Sequence, residues 1–137
     1  MYYKIDLNNY KKKVVPFYDT FDNYKNLKWE QVEMLTEELE NFQDSFGKND
    51  WSFYLITDNV GIKAWSFIDW NKKYPYLCNR YVVPKHRNKG LGNDLVWLRC
   101  NEIIKQGYNY ASIKLEDWNK PALSVMKENI FTELTEI

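Results

Sequence analysis

Residues 81–98, YVVPKHRNKGLGNDLVWL, constrain this chain more than any other stretch. Tyr81, Val82 and Val83 form an aromatic and β-branched run suited to a strand. Pro84 has no N–H to give to a ladder, so the strand stops there. Gly90 and Gly92 then introduce an apolar pattern at helical spacing, Leu91, Leu95 and Leu98. A strand, a basic loop with two glycines and a helix therefore follow one another directly. The first turn of such a helix carries unpaired N–H groups and the positive end of its dipole. Glycines let an anion come close to the backbone, and Arg87 and Lys89 add charge beside it. The expectation is a phosphate site at the loop. The plainer alternative is a joint whose glycines only relieve crowding.

Spacing removes two common phosphate loops. No Gly-Lys-Ser/Thr is present, so this is not a Walker loop. The third glycine of a dinucleotide fingerprint would fall at Leu95, and no acidic residue follows at the required interval. Arg87-Asn88-Lys89-Gly90-Leu91-Gly92 instead resembles the Arg/Gln-x-x-Gly-x-Gly/Ala signature of the GCN5-related N-acetyltransferases. The lead-in Val82-Val83-Pro84-Lys85-His86-Arg87 is similar to that family's V-x-P-x-x-R. The resemblance implies that residues 87–92 hold the pyrophosphate of acetyl-CoA.

Composition narrows the other possibilities. The 137 residues suit one domain, 1–137, with a real core. Lys plus Arg equals Asp plus Glu at 19 each, which argues against a non-specific nucleic-acid binder. No apolar run approaches the roughly 20 residues that span a bilayer, so no membrane partner is expected. The N-terminus, MYYKIDLNNYKKK, lacks a signal-peptide hydrophobic region, and the expected compartment is cytoplasmic. Cys78 and Cys100 fit a strand and a helix pattern, and both are expected to be reduced. No metal site is expected. Aromatic residues make up 18%, with 11 Tyr and 6 Trp. They suit a recognition surface, but Tyr, Phe, Lys and Asn are abundant together, as coding bias would produce.

In chain order, 2–7 reads as a first strand, and 8–21 as a short helix and turn. Residues 28–46 are helical, with an apolar stripe at Trp29, Val32, Leu35, Leu39, Phe42 and Phe46. Glu30, Glu33, Glu37, Glu40 and Asp44 share another face, where like charges repel mildly. A solvated outer face explains them; a cationic acceptor bound near Glu33 and Glu37 is the functional alternative. Residues 51–58 and 62–70 read as a hairpin with turn chemistry at 58–61. Residues 76–83 form the strand that feeds the loop, and the helix from Gly90 runs to about Gln106, with Gly107 as its stop. Residues 108–116 form another strand. Asn119 caps a last helix with Pro121 in its first turn, and 131–137 is a final short strand.

This order of elements is that of the acetyltransferase fold. It implies an α/β (α+β) domain with a central mixed, mostly antiparallel twisted sheet, splayed between 76–83 and 108–116 and flanked by about four helices. Residues 113–131 are similar to a second family block, with Asn119, Ala122 and Phe131 in register. The resemblance implies transfer of acetyl from acetyl-CoA directly to a primary amine of a small molecule or protein. The pantetheine arm would pair like an added strand in the splay. N–H groups near Val82 and Val83 would polarise the thioester carbonyl, and Asn119 would meet the pantetheine or simply cap its helix. Candidate bases are Glu116, Asp117 and Asp69, each also readable as a surface carboxylate. His86, in the turn, reads as structural.

Three departures from the family stand out. Met126 occupies the place of a tyrosine that often protonates the departing thiolate, and Ser124 points elsewhere on that helix. Ile130 replaces a glycine before Phe131, with Asn129 as substitute cap. The chain also ends about one strand early, which suggests a homodimer that completes the sheet. These features keep open a catalytically weak or inert member that works by binding a protein partner.

Overall fold

The structure is a computed structural model; it describes residues 2–9, 40, 44, 50–57, 62–114 and 134–136. The strands are β1 (Tyr2–Asp6), β2 (Trp51–Thr57), β3 (Ile62–Asp69), β4 (Tyr76–Val82), β5 (Tyr110–Lys114) and β6 (Leu134–Glu136), and the long helix is α1 (Leu91–Lys105). Short 3-10 turns follow β1 at Leu7–Asn9 and β4 at Pro84–His86. The strands lie within the segments whose patterning predicts them. The expected turn at 58–61, most of the helix at 28–46, and the helix after Asn119 lie outside the described residues. Glu40 and Asp44 of the acidic stripe are described, and both are helical and exposed.

The six strands form one sheet in the order β2-β3-β4-β5-β1-β6. All neighbours pair antiparallel except β4 and β5, which are parallel. A parallel pair needs a crossover, and α1 supplies it. β3 is buried at every position except Lys63, so both faces of the sheet are apolar there. Ile68 and Leu77, with Ile5, Ala111 and Ile113, pack against Val96, Trp97, Cys100 and Ile103 of α1. The opposite face gathers Leu55, Trp65, Phe67, Cys78, Tyr81 and Val83.

The buried side of α1 is Leu95, Val96, Trp97, Arg99, Cys100 and Ile103. Only Leu95 of the expected Leu91-Leu95-Leu98 stripe is fully buried, because the helix meets the sheet along Val96, Cys100 and Ile103. Gly107, at φ +93°, ends the helix as expected. Its N–H donates to Ile104 O at 2.9 Å and the N–H of Tyr108 to Ile103 O at 3.2 Å, the paired bonds of a Schellman stop. Both cysteines are free and buried. Among the described residues no helix is long and apolar enough to cross a membrane.

The first strand takes an interior position. β1 lies inside the sheet, paired with β5 from Tyr2↔Lys114 to Asp6↔Tyr110 and with β6 from Tyr3↔Glu136 to Ile5↔Leu134. The N–H of Leu7 continues the contact to Asn109 O at 2.9 Å. The edge of β5 away from β4 is thus taken by β1, and β6 is the outer strand on that side of the sheet.

Candidate functional site

The site is built where β4 loses its second neighbour. β4 stays paired with β3 up to Val82 but meets β5 only at Tyr76↔Ser112 and Leu77↔Ile113. Beyond Leu77 its far edge has no strand beside it among the described residues. The splay expected between 76–83 and 108–116 is this short ladder.

A bulge that the sequence reading missed re-aims the open part of β4. Phe67 pairs with Cys78 and Ser66 with Arg80, so Asn79 is an extra residue, held at φ +47°. One extra residue reverses which side chains face which side. Tyr81 and Val83 therefore join Trp65 and Phe67, while Val82 turns towards Ala64 and Leu95. The bulge frees carbonyls, and two side chains take them up. Ser66 Oγ donates to Asn79 O at 2.8 Å, with a weaker share to Cys78 O at 3.3 Å. Arg99 Nη1 donates to Phe67 O at 3.2 Å, while its Nε holds Leu95 O at 3.1 Å. The available signal was an asparagine, tolerant of left-handed backbone, inside a strand pattern.

The loop after β4 is wound by left-handed residues. Pro84 starts the 3-10 turn, where its missing N–H costs nothing. The N–H of His86 donates to Val83 O at 2.8 Å and that of Arg87 to Pro84 O at 3.2 Å. Asn88 (φ +63°) and Gly90 (φ +79°) then turn the chain into α1, with Gly90 as N-cap and no side chain capping the helix. The first bond inside the helix is Asp94 N–H to Gly90 O, at 3.0 Å. The N–H groups of residues 90–93 therefore have no partner within the helix.

A cleft of about 440 Å³ opens here, lined by Arg80, Tyr81, Val82, Arg87, Asn88, Gly90, Gly92 and Asn93. Among the described residues no carboxylate lines it. Four of the six loop residues expected to hold phosphate thus share one space. Lys89 is exposed outside it, and the Leu91 side chain packs instead beside Ile56, Ala64 and Leu95. Arg87 Nε donates to Val82 O at 2.9 Å, and its guanidinium lies 5.5 Å from the centre of the Tyr81 ring. The Tyr81 hydroxyl is buried and has no hydrogen-bond partner among the described residues, an orphan that such a site can satisfy with a ligand. The guanidinium of Arg80, which the sequence reading also missed, sits over Gly92, its Nη1 3.4 Å from where a Cβ would be.

The other expected residues separate. The Val83 N–H donates to Lys63 O at 2.8 Å, so it belongs to the β3 ladder and is not free for an oxyanion. Strand alternation turns the Val82 N–H to the opposite, open edge. Asp69 ends β3, where it accepts from the Asn71 N–H at 2.9 Å and closes the turn. It stands five strand positions, roughly 17 Å, from Ala64, the partner of Val82. Glu116, Asp117, Asn119, Glu33, Glu37 and Met126 lie outside the described residues.

Among the described residues the charged groups that line the cleft are Arg80 and Arg87. Arg80 keeps exposed surface, yet the protein around it desolvates the guanidinium and lowers its pKa. Arg99 is lowered to about 10, by burial first and by Arg80 in addition, against opposing effects of Cys100, Cys78 and Tyr54. Burial raises the Tyr54 hydroxyl, and Glu102 raises it further while Arg99 opposes. Burial also pushes the Cys100 thiol up to about 12, which leaves it inert as a nucleophile at neutral pH.

Comparison with known proteins agrees with this arrangement. A model of the acetyltransferase (GNAT) family matches residues 16–129. Curated relatives include the thialysine N-epsilon-acetyltransferases of Mus musculus, 24% identical over 77% of this chain and 69% of that protein, and of Sus scrofa, 26% identical over 78% and 70%. Among solved structures, an aminoglycoside N-acetyltransferase in complex with CoA superposes with a TM-score of 0.60 at 13% identity, covering 80% of this chain and 88% of that one. An aminoglycoside acetyltransferase from an uncultured soil metagenomic sample, in complex with sisomicin, has a TM-score of 0.56 at 13% identity, covering 85% and 83%. At these identities the superpositions speak for the fold.

Proposed function

Because the chain belongs to the acetyltransferase (GNAT) family, we propose that the cleft at the start of α1 holds the diphosphate of acetyl-CoA and that β4 and β5 hold its pantetheine arm. The protein is an acetyl-CoA-dependent N-acetyltransferase. The observation that carries the residue assignment is the coincidence, at one end of β4, of a strand edge open among the described residues, a cleft lined by Arg80 and Arg87, and a helix start whose first N–H groups have no partner within the helix.

The chemistry follows from that placement. Residues 90–93 and Arg87 bind and orient the diphosphate. An amide-bearing arm can pair with the open edge of β4 as a strand would. The Val82 N–H, on that edge, donates to the carbonyl oxygen as the amine attacks and negative charge develops there. The C–N bond forms as the C–S bond breaks, the amine proton passes to a base, and the thiolate leaves. No covalent enzyme intermediate is needed. Glu116 is the base we favour, since Asp69 serves a turn at the distant end of β3. Asn119 remains assigned to the pantetheine or to its helix cap.

For the acceptor we propose a small cationic amine. Relatives carry the names of thialysine and aminoglycoside acetyltransferases, and the acidic positions Glu33 and Glu37 suit such a substrate. We also propose cytoplasmic action, without a membrane or nucleic-acid partner. Calorimetry with acetyl-CoA on wild type and Gly90→Glu, followed by CoA release with a panel of amines, tests this reading. Micromolar binding lost in the variant, with amine-dependent release, is expected. No binding by the wild type would overturn it, and the loop would then be a structural joint.

A further inference from the structure

The sequence offers Arg87 and Lys89 as the cations of the phosphate loop, but the structure distributes charge differently. Lys89 is exposed and does not line the cleft. Arg87 lines it but already spends Nε on Val82 O and lays its guanidinium over Tyr81. Arg80 also lines it, and no hydrogen bond or ion pair with a described residue engages its guanidinium.

Its position is electrostatically unfavourable in the empty protein. The guanidinium rests over Gly92, the second residue of α1, with Nη1, Cζ and Nε at 3.4, 3.5 and 3.6 Å from the position a Cβ would take. That is the positive end of the helix dipole, where anions are stabilised and cations are not. Arg87 borders the same space, and the buried Arg99 is close enough for Arg80 to disfavour its charged form. Helix end and guanidinia share a cleft that no carboxylate of the described residues lines, Asp94 standing in the first turn of α1 outside that lining. A diphosphate, with oxygens on two adjacent phosphorus atoms, would be met from the helix end and from both arginines, and the planar fork of Arg80 matches two of those oxygens.

We propose that Arg80 is a diphosphate-binding residue of this enzyme: its guanidinium, resting on Gly92 with no donor taken by a described residue, pairs with the acyl donor's diphosphate on the β4 side of the cleft, opposite Arg87. The inference rests on the acetyltransferase reading and assigns the principal side-chain cation of its donor site to a strand residue outside the glycine loop. The bulge at Asn79 is what carries Arg80 to this position. The absence of a side chain at residue 92 then leaves room for the guanidinium as well as for the ligand.

The test is calorimetric titration of wild type, Arg80→Met, Arg80→Lys and Lys89→Met with CoA, dephospho-CoA and pantetheine. Arg80→Met is expected to weaken CoA and dephospho-CoA about tenfold or more alike and to leave pantetheine unchanged. Arg80→Lys should recover part of the loss, since it restores charge without the fork, and Lys89→Met should stay within about twofold of wild type. The ligand-free melting temperature of Arg80→Met should not fall, because the charge removed is unpaired. Wild-type affinity for CoA in Arg80→Met would overturn the proposal. So would a loss confined to CoA, which would place Arg80 on the 3′-phosphate. A lowered ligand-free melting temperature with equal loss of all three ligands would mean a structural arginine and would also overturn it. Failure of the wild type to bind CoA at all would instead remove the acetyltransferase reading itself.

Discussion

Gly90 and Gly92 stand two residues apart in one loop, and the same substitution should act on them with opposite sign. Gly90 has nothing within 4 Å of a built Cβ, so Gly90→Ala meets no steric obstacle. Its backbone is nevertheless left-handed at φ +79°, where an L side chain costs about 1–2 kcal/mol. Gly92 is an ordinary helical residue near the start of α1, where alanine should gain about 0.5–1 kcal/mol through helix propensity and a less disordered unfolded chain. The three atoms nearest the new Cβ would belong to the Arg80 guanidinium, the closest at 3.4 Å, and that is the far end of a flexible side chain. Gly92→Ala should therefore stabilise the ligand-free protein by about 0.5 kcal/mol or more, and Gly90→Ala should destabilise it by about 1–2 kcal/mol. The two variants should differ by roughly 2 kcal/mol in urea unfolding, well outside the error of paired measurements. If both lose stability equally, the reasoning fails. The space beside Gly92 would then be needed by something other than a movable arginine head.

Three further outcomes follow from the bulge and the buried groups. Asn79→Val should destabilise by about 1–2 kcal/mol, since a β-branched residue resists φ +47°, whereas Asn79→Gly should be neutral within about 0.5 kcal/mol; chemical denaturation of both separates backbone strain from side-chain loss. Ser66→Ala removes the donor to Asn79 O and should cost about 1–2 kcal/mol, with a rise in the Michaelis constant for acetyl-CoA as the open edge of β4 loosens; unchanged stability would mean that the hydroxyl does not hold the bulge. Cys100 has its thiol raised in the folded state from 9.0 to about 12, so its burial contributes stability that is complete below pH 9 and is lost as pH rises towards 12. Cys100→Ala should therefore show a shallower loss of stability than wild type across that alkaline window, and the wild-type thiol should resist alkylation at pH 8 until urea unfolds the chain.

The geometry of the loop between β4 and α1 was legible because local chemistry dictates it. Pro84 ends a strand, Gly90 supplies a left-handed N-cap and Gly107 closes the helix, each through its own backbone restrictions. The strands at 51–57 and 62–69 were legible from β-branched and aromatic content. What escaped depends on partners distant in sequence. Whether the N–H of Val82 or of Val83 faces the open edge turns on the one-residue bulge and on pairing with Lys63, which strand periodicity does not report. Arg80 read as an ordinary strand residue because its relation to Gly92 exists only once β4 and α1 are packed. Asp69 looked available as a base because its turn bond to Asn71 is invisible in composition. The place of β1 between β5 and β6 was missed because no local pattern says which edge a strand will join.

That place of β1 bears on how the molecule assembles. Tyr2 meets Lys114, and Tyr3 meets Glu136, partners separated by more than a hundred residues of chain. The β2-β3-β4 meander and α1 can form from neighbouring segments, but β1 must wait for segments more than a hundred residues further along before its hydrogen bonds close. Such long-range pairing slows folding. It also makes the β5 side of the splay the last to mature, because β5 borders β4 on one side and β1 on the other. A nascent or N-terminally shortened chain would hold an assembled meander with β5 unsupported on its outer edge, and its capacity to bind CoA should arrive later than its helical signal.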